Sequence, residues 1–185
     1  MRTSHTVSYL SLAAVAFCGL NVFAAGEELI GRKAEEWQVS NWQGSEPLTL
    51  KGLEGKVVLV RWWTAPHCPF CAKSAPALNE FHESYAEKGL QVLGFYHHKA
   101  RTPLDLDEVK AFSQKFGFKF PVAIDDNWTT LKAWWLNQKN DWTSVSFLID
   151  RKGVIRHIHP GGQYVKGDEA YAALKAKIEE LLAEK

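Results

Sequence analysis

The chain has 185 residues, enough to bury one sizeable hydrophobic core. With 46% hydrophobic and 23% charged residues it has the composition of a globular protein, which argues against a solvated polar tract. Its 22 basic and 21 acidic residues leave no positive surplus for nucleic-acid phosphates, so a nucleic-acid partner is not expected.

Arg2 opens an apolar run from Val7 to Leu20, roughly the length of a signal-peptide core. Val22-Phe23-Ala24-Ala25 then offers small residues for cleavage after Ala24 or Ala25. Residues 1–25 are therefore expected to be a signal peptide and residues 26–185 a single domain. An uncleaved membrane anchor is the competing reading, but the run is shorter than the roughly 20 residues of a span. It also contains Ser8 and Ser11, with Asn21 just beyond it. Cys18 lies inside this segment, and bulky Phe17 before it does not suit lipid attachment. Cleavage leaves two of the three cysteines, and export places them in the periplasm or another extracytoplasmic space, where disulfides persist.

Beyond this segment, residues Leu29 to Trp37 read as an irregular lead-in or short strand, and Leu48-Thr49-Leu50 as another short strand. Val57 to Trp63 is a β-branched and apolar run that predicts a buried central strand. A helix is expected to start near Cys68, with Leu78, Phe81 and Tyr85 on its buried stripe, a kink at Pro76 and a cap at Gly89. Leu90 to Tyr96 predicts the next strand. Asp105 and Glu108 have the spacing of a capping box, followed by a helix with Leu106, Val109, Phe112 and Phe116 on one face. Pro121 to Ile124 reads as a short strand, and Asp125, Asp126 or Asn127 as the cap of a helix from Trp128 to Leu136. Ser146–Ile149 and Val154–Ile158 read as a hairpin about Arg151-Lys152-Gly153. Asp168 is expected to cap the last helix, whose stripe is Tyr171, Leu174, Ile178, Leu181 and Leu182. The order β-α-β-α-β-α-β-β-α predicts an α/β domain: a mixed central sheet, parallel in its βαβ part, with helices on both faces.

Cys68-Pro69-Phe70-Cys71 falls where the central strand meets its helix. A helix N-terminus carries about half a positive charge and unpaired N–H groups, both of which favour a thiolate. Cys68 is thus expected to attack, and Cys71, one turn on, to resolve the mixed disulfide. Pro69 suits the first turn, where its missing N–H is no loss. A zinc site would need four ligands, and no second cysteine pair is present after cleavage. A purely structural bridge closing so short a loop stabilises little. A redox-active disulfide with no further cofactor is the favoured reading.

Trp62-Trp63-Thr64-Ala65-Pro66-His67-Cys68-Pro69-Phe70-Cys71 resembles the active-site segment of the thioredoxin superfamily. Pro76, five residues after the second cysteine, matches its helix proline. Gly55-Lys56-Val57-Val58-Leu59-Val60 and Phe147-Leu148-Ile149-Asp150-Arg151-Lys152-Gly153 are similar to the TlpA/ResA-like redoxin branch. The resemblance covers roughly residues 29 to 183 and implies a thioredoxin-like fold and an exported thiol:disulfide oxidoreductase acting on protein thiols and disulfides. The chain also departs from the pattern. Ser144 stands where thioredoxins place a cis-proline, which changes how a substrate chain is seated and leaves room for a metal at the thiols. Arg61 replaces the buried acid two residues before the tryptophan, and Ser74 replaces a glutamate of ResA-like proteins. The stretch from Trp63 to Cys68 is one residue longer.

His67, directly before Cys68, is a candidate electrostatic support, and Trp63, Pro69, Phe70 and Pro76 complete the supporting set. His97-His98-Lys99 follows a strand whose C-terminal end faces the site in such folds, so His97 and His98 join Ser144 as substrate-proximal candidates. His157 and His159 read as structural, and the tryptophans Trp128, Trp134, Trp135 and Trp142 as core or rim packing and not a cofactor box. Two rival functions stay open: a thiol peroxidase, using Thr64 near Cys68, and a copper-delivery protein pairing Cys68 and Cys71 with His97, His98 or His157. No metal is assigned.

Overall fold

The computed structural model describes residues 26–184; the expected signal peptide lies outside them. Ten elements are built in the order β1 (Ser40–Gln43), β2 (Val57–Trp63), α1 (Pro69–Tyr85), β3 (Leu90–Tyr96), α2 (Leu106–Lys115), β4 (Val122–Ile124), α3 (Thr129–Trp134), β5 (Ser146–Ile149), β6 (Ile155–His159) and α4 (Glu169–Ala183). The six strands form one sheet in the order β1-β4-β3-β2-β5-β6. β2, β3 and β4 are parallel, whereas β1, β5 and β6 pair antiparallel to their neighbours.

All seven residues of β2 are buried, as expected for a strand with neighbours on both edges and cover on both faces. Its alternation divides the core. Val58, Val60 and Trp62 pack with Trp37, Phe95, Trp134, Trp135 and Phe147 on one face. Val57 and Leu59 pack with Leu78 and Phe81 of α1 and Leu174 and Ile178 of α4 on the other. Trp63 continues that second face towards Cys71 and the α2 residues Val109 and Phe112. Gly94 of β3 leaves room for the Trp63 ring: a Cβ on it would fall 3.1 Å from Trp63 Nε1.

The expected sheet and helices are present, with shifts at the margins. The edge strand is Ser40–Gln43, not Leu48–Leu50. The latter runs into a 3₁₀ turn at Lys51–Leu53, whose preceding N–H groups on Leu50 and Lys51 donate to Glu36. Leu106 is 40% exposed and not on the buried face of α2, because it is the first residue after the Asp105 cap and the buried face starts only at Val109. The tryptophan-rich segment is broken: Asn127 and Trp128 have φ of 54° and 60°, so α3 begins only at Thr129.

Candidate active site

β2 delivers the chain to the site and α1 carries it away. Between them Thr64, Ala65, Pro66 and His67 turn the chain, with a cis peptide at Ala65–Pro66. Cys68 is the N-cap of α1, and its Sγ accepts from the backbone N of Cys71 at 3.2 Å. Pro69 occupies the first turn. The two sulfurs form a disulfide with the Cα atoms 5.3 Å apart. The environments differ: Cys71 is 2% exposed and packed against Trp63, Ala65 and Tyr96, while Cys68 is half-buried and open to a cleft.

One wall of this cleft is Thr64, His67, Cys68 and Phe70; the other is Lys99 with the segment Asp141–Ser144. Phe70 meets Trp142 edge-on at 5.8 Å between ring centres. Trp142 is 55% exposed and sits directly over Gly161, where a Cβ would come within 2.3 Å of the Trp142 Cβ and φ is +145°. Ser144 is buried at the base of this wall.

The sequence candidates separate in space. His67, Pro69, Phe70 and Ser144 line the cleft with Cys68. Trp63 lies behind it, its ring meeting Tyr96, Phe116 and Phe118 edge-on. Pro76 lies on the exposed side of α1, outside the cleft. His97 and His98 do not line it. His97 is buried with its ring against Trp128 at 5.0 Å, and burial, with nearby Lys99, pushes its pKa down to about 3. His98 is held between the Tyr96 hydroxyl at 3.2 Å and the Thr102 carbonyl at 2.7 Å. Among the described residues no group of three or more His, Cys, Asp or Glu side chains is arranged to hold a metal ion, so the histidine required by the copper-delivery reading is not brought to the thiols.

Sequence reasoning missed Lys99, Asp141 and Thr143, which have no signature of their own and reach the cleft only through the fold. It also missed the partners of Arg61. That side chain is 1% exposed, with Nη2 donating to the Gly162 carbonyl at 2.7 Å and Nη1 to Ser146 Oγ at 3.3 Å.

A CxxC disulfide capping the helix that follows the central strand of a mixed sheet defines a thioredoxin-fold protein with a dithiol–disulfide centre. The AhpC/TSA family model matches residues 30–158, and the chain belongs to that family. It is 33% identical over 138 residues to the thiol-disulfide oxidoreductase ResA of Bacillus anthracis, covering 72% of this chain and 71% of ResA. It is 33% identical over 125 residues to protein DipZ of Mycobacterium tuberculosis, covering 67% of this chain but spanning only 17% of that longer protein. A crystal structure of a thioredoxin-like superfamily protein superposes with a TM-score of 0.67 at 30% identity, over 83% of this chain and 97% of the other.

Proposed function

We propose that this chain is an exported thiol:disulfide oxidoreductase that exchanges its Cys68–Cys71 pair with the thiols and disulfides of partner proteins. The observation that carries the reading is the asymmetry of the disulfide: an accessible sulfur at a helix N-cap beside a cleft, bonded to a buried one. In the reducing direction the Cys68 thiolate attacks a partner disulfide and forms a mixed disulfide. Cys71 then attacks Cys68 Sγ, the bond to the partner breaks, and the partner leaves as a thiol. The reverse sequence oxidises a partner dithiol. Burial restricts Cys71 to the one sulfur it faces, which gives the two residues distinct roles.

The cleft supports a protein substrate, since its walls combine aromatic surface from Phe70 and Trp142 with the charges of Lys99 and Asp141. His67, Pro69, Phe70 and Ser144 are proposed as substrate-facing groups, and Trp63 and Pro76 as supports of the turn and helix. The working domain is taken as residues 26–185, with residues 1–25 directing export to the periplasm or a comparable extracytoplasmic space. The ResA similarity supports the activity, and no metal or organic cofactor enters the exchange.

The test is turnover of a disulfide-bonded protein substrate with a thiol reductant. Cys68→Ser is expected to reduce exchange to background, a loss on the order of 10³-fold or more. Full activity in that variant would remove Cys68 from the chemistry.

A further inference from the structure

The most enclosed strand of the sheet carries a charge. Arg61 lies on the same face of β2 as Leu59 and Trp63, beneath α1. Its Cζ is 5.1 Å from the centre of the Tyr164 ring, and its Nε has no hydrogen-bond acceptor. Tyr164 ties the guanidinium to the active-site helix: its backbone N donates to Ser74 Oγ at 3.1 Å, and Ser74 lies one helical turn beyond Cys71. Ser146 Oγ, 3.1 Å from the Tyr164 hydroxyl, closes the cluster.

No carboxylate neutralises this cation. Among the described residues Arg61 makes no ion pair with a carboxylate, and an arginine keeps its proton throughout the range in which proteins fold. The other titratable groups around it add no negative charge at neutral pH. His159 of β6, 5.0 Å from the Tyr164 ring, is held neutral by burial, its pKa near about 4. His97 is likewise neutral, and burial raises the Tyr164 hydroxyl above its ordinary value. Lys99, at the cleft, carries the same sign as Arg61. The α2 residues Val109 and Phe112, and Phe116 just past its end, pack apolar surface with Trp63 and Cys71. Burying an unpaired guanidinium is expensive, and in a low-dielectric interior its field acts on neighbouring groups with little screening.

We propose that Arg61 sets the redox poise of the Cys68–Cys71 pair by stabilising the thiolate of the reduced centre, a reading that rests on the exchange function above. Reduction of the disulfide takes up two electrons, supplied by a donor thiol pair. The buried cation lets one sulfur remain as thiolate, its proton released to solvent and not to a protein carboxylate. Cys71 is then ready to attack Cys68 Sγ of a mixed disulfide, and the partner sulfur leaves with the electron pair of the broken S–S bond. Stabilising the reduced form makes the pair a stronger oxidant. Arg61 is a positioning residue here, acting through its field on the cysteines.

The experiment equilibrates the wild type, Arg61→Met and Arg61→Lys with glutathione buffers and reads the dithiol fraction by alkylation and mass. Arg61→Met is expected to lower the equilibrium constant for reduction by roughly tenfold or more, and Arg61→Lys to retain most of it. In a Cys68→Ser background the Cys71 thiol is expected to titrate at higher pH with Met at position 61 than with Arg or Lys. A folded Arg61→Met protein with unchanged equilibrium constant and thiol titration overturns the inference and leaves the exchange function standing. Should Arg61→Met not fold, the Cys68→Ser protein with Arg61 intact decides: a Cys71 thiol titrating at or above about 8.5 overturns it, and one well below supports it. Wild-type protein that does not exchange with glutathione at all overturns both readings.

Discussion

Cys68 and Cys71 are equivalent in the sequence motif and unequal in the molecule, and the inequality comes from position. The N-cap residue of a helix projects from its end, whereas the residue three further on turns under the first turn towards the sheet. The cysteine spacing and the strand-to-helix context were enough to read this from the sequence. The opposite wall of the cleft was not, because Lys99 and Asp141–Ser144 come from loops 31 to 76 residues beyond Cys68 in the chain, and their approach depends on the sheet order. Trp142 shows the difficulty: the same residue type is buried at Trp134 and Trp135, and only the loop geometry over Gly161 turns it outward. Because it forms the exposed rim beside Phe70, Trp142→Ala is expected to raise KM for a protein substrate about tenfold with kcat retained, as for an aromatic contact worth about 1–2 kcal/mol. Steady-state kinetics with a disulfide-bonded protein check this, and a loss confined to kcat would contradict it.

At the scale of elements, the caps and long strands were legible and the short edge was not. Asp168 accepts from Tyr171 N, as the sequence predicts, and Asp105 accepts from Asp107 N and Glu108 N, which is the Asp105 half of the expected capping box. β1 was missed because Ser40-Asn41-Trp42-Gln43 has neither β-branched residues nor a clean alternation; pairing with β4 makes it a strand. The expected cap of the tryptophan-rich helix is not found at Asp125, since the N-cap of α3 is Trp128, but Asp125 still holds that helix. Its carboxylate accepts from Thr130 N at 2.9 Å, Leu131 N at 2.8 Å and Trp62 Nε1 at 2.8 Å, so it fastens α3 to the central strand from inside the core. Burial raises its pKa despite these donors. Asp125→Ala leaves three buried donors without an acceptor and is expected to destabilise the protein by about 3 kcal/mol. Denaturant unfolding measures this; a change below about 1 kcal/mol would show that the three donors find other partners.

Among the described residues, burial lowers His97 and His159 most strongly, and this sets an acid limit on stability. Burial depresses His97 to about 3 and His159 to about 4, whereas an unfolded histidine titrates near about 6.5. Below about pH 6.5 the unfolded chain therefore binds protons that the folded chain refuses. Stability is full above that pH and falls as the pH drops towards about 4, with a slope approaching about 2.7 kcal/mol per pH unit when both sites contribute. Unfolding free energies across pH 4 to 7 test this, and a flat profile would contradict it. The same interior holds Arg61, so the fold gives up stability at three buried polar positions, and the proposed redox tuning is what the arginine contributes in return. The fold class was legible because it rests on long periodic elements. The buried polar cluster was legible only as an odd residue on a central strand, since its partners Ser146, Tyr164 and Gly162 are distant in sequence. In the proposed exchange Cys68 attacks and Cys71 resolves. The most direct measurement is to react reduced Cys71→Ser protein with a disulfide-bonded protein substrate and locate the product by peptide mass. A stable mixed disulfide on Cys68 is expected; no covalent product under conditions where the wild type turns over would contradict the proposed exchange.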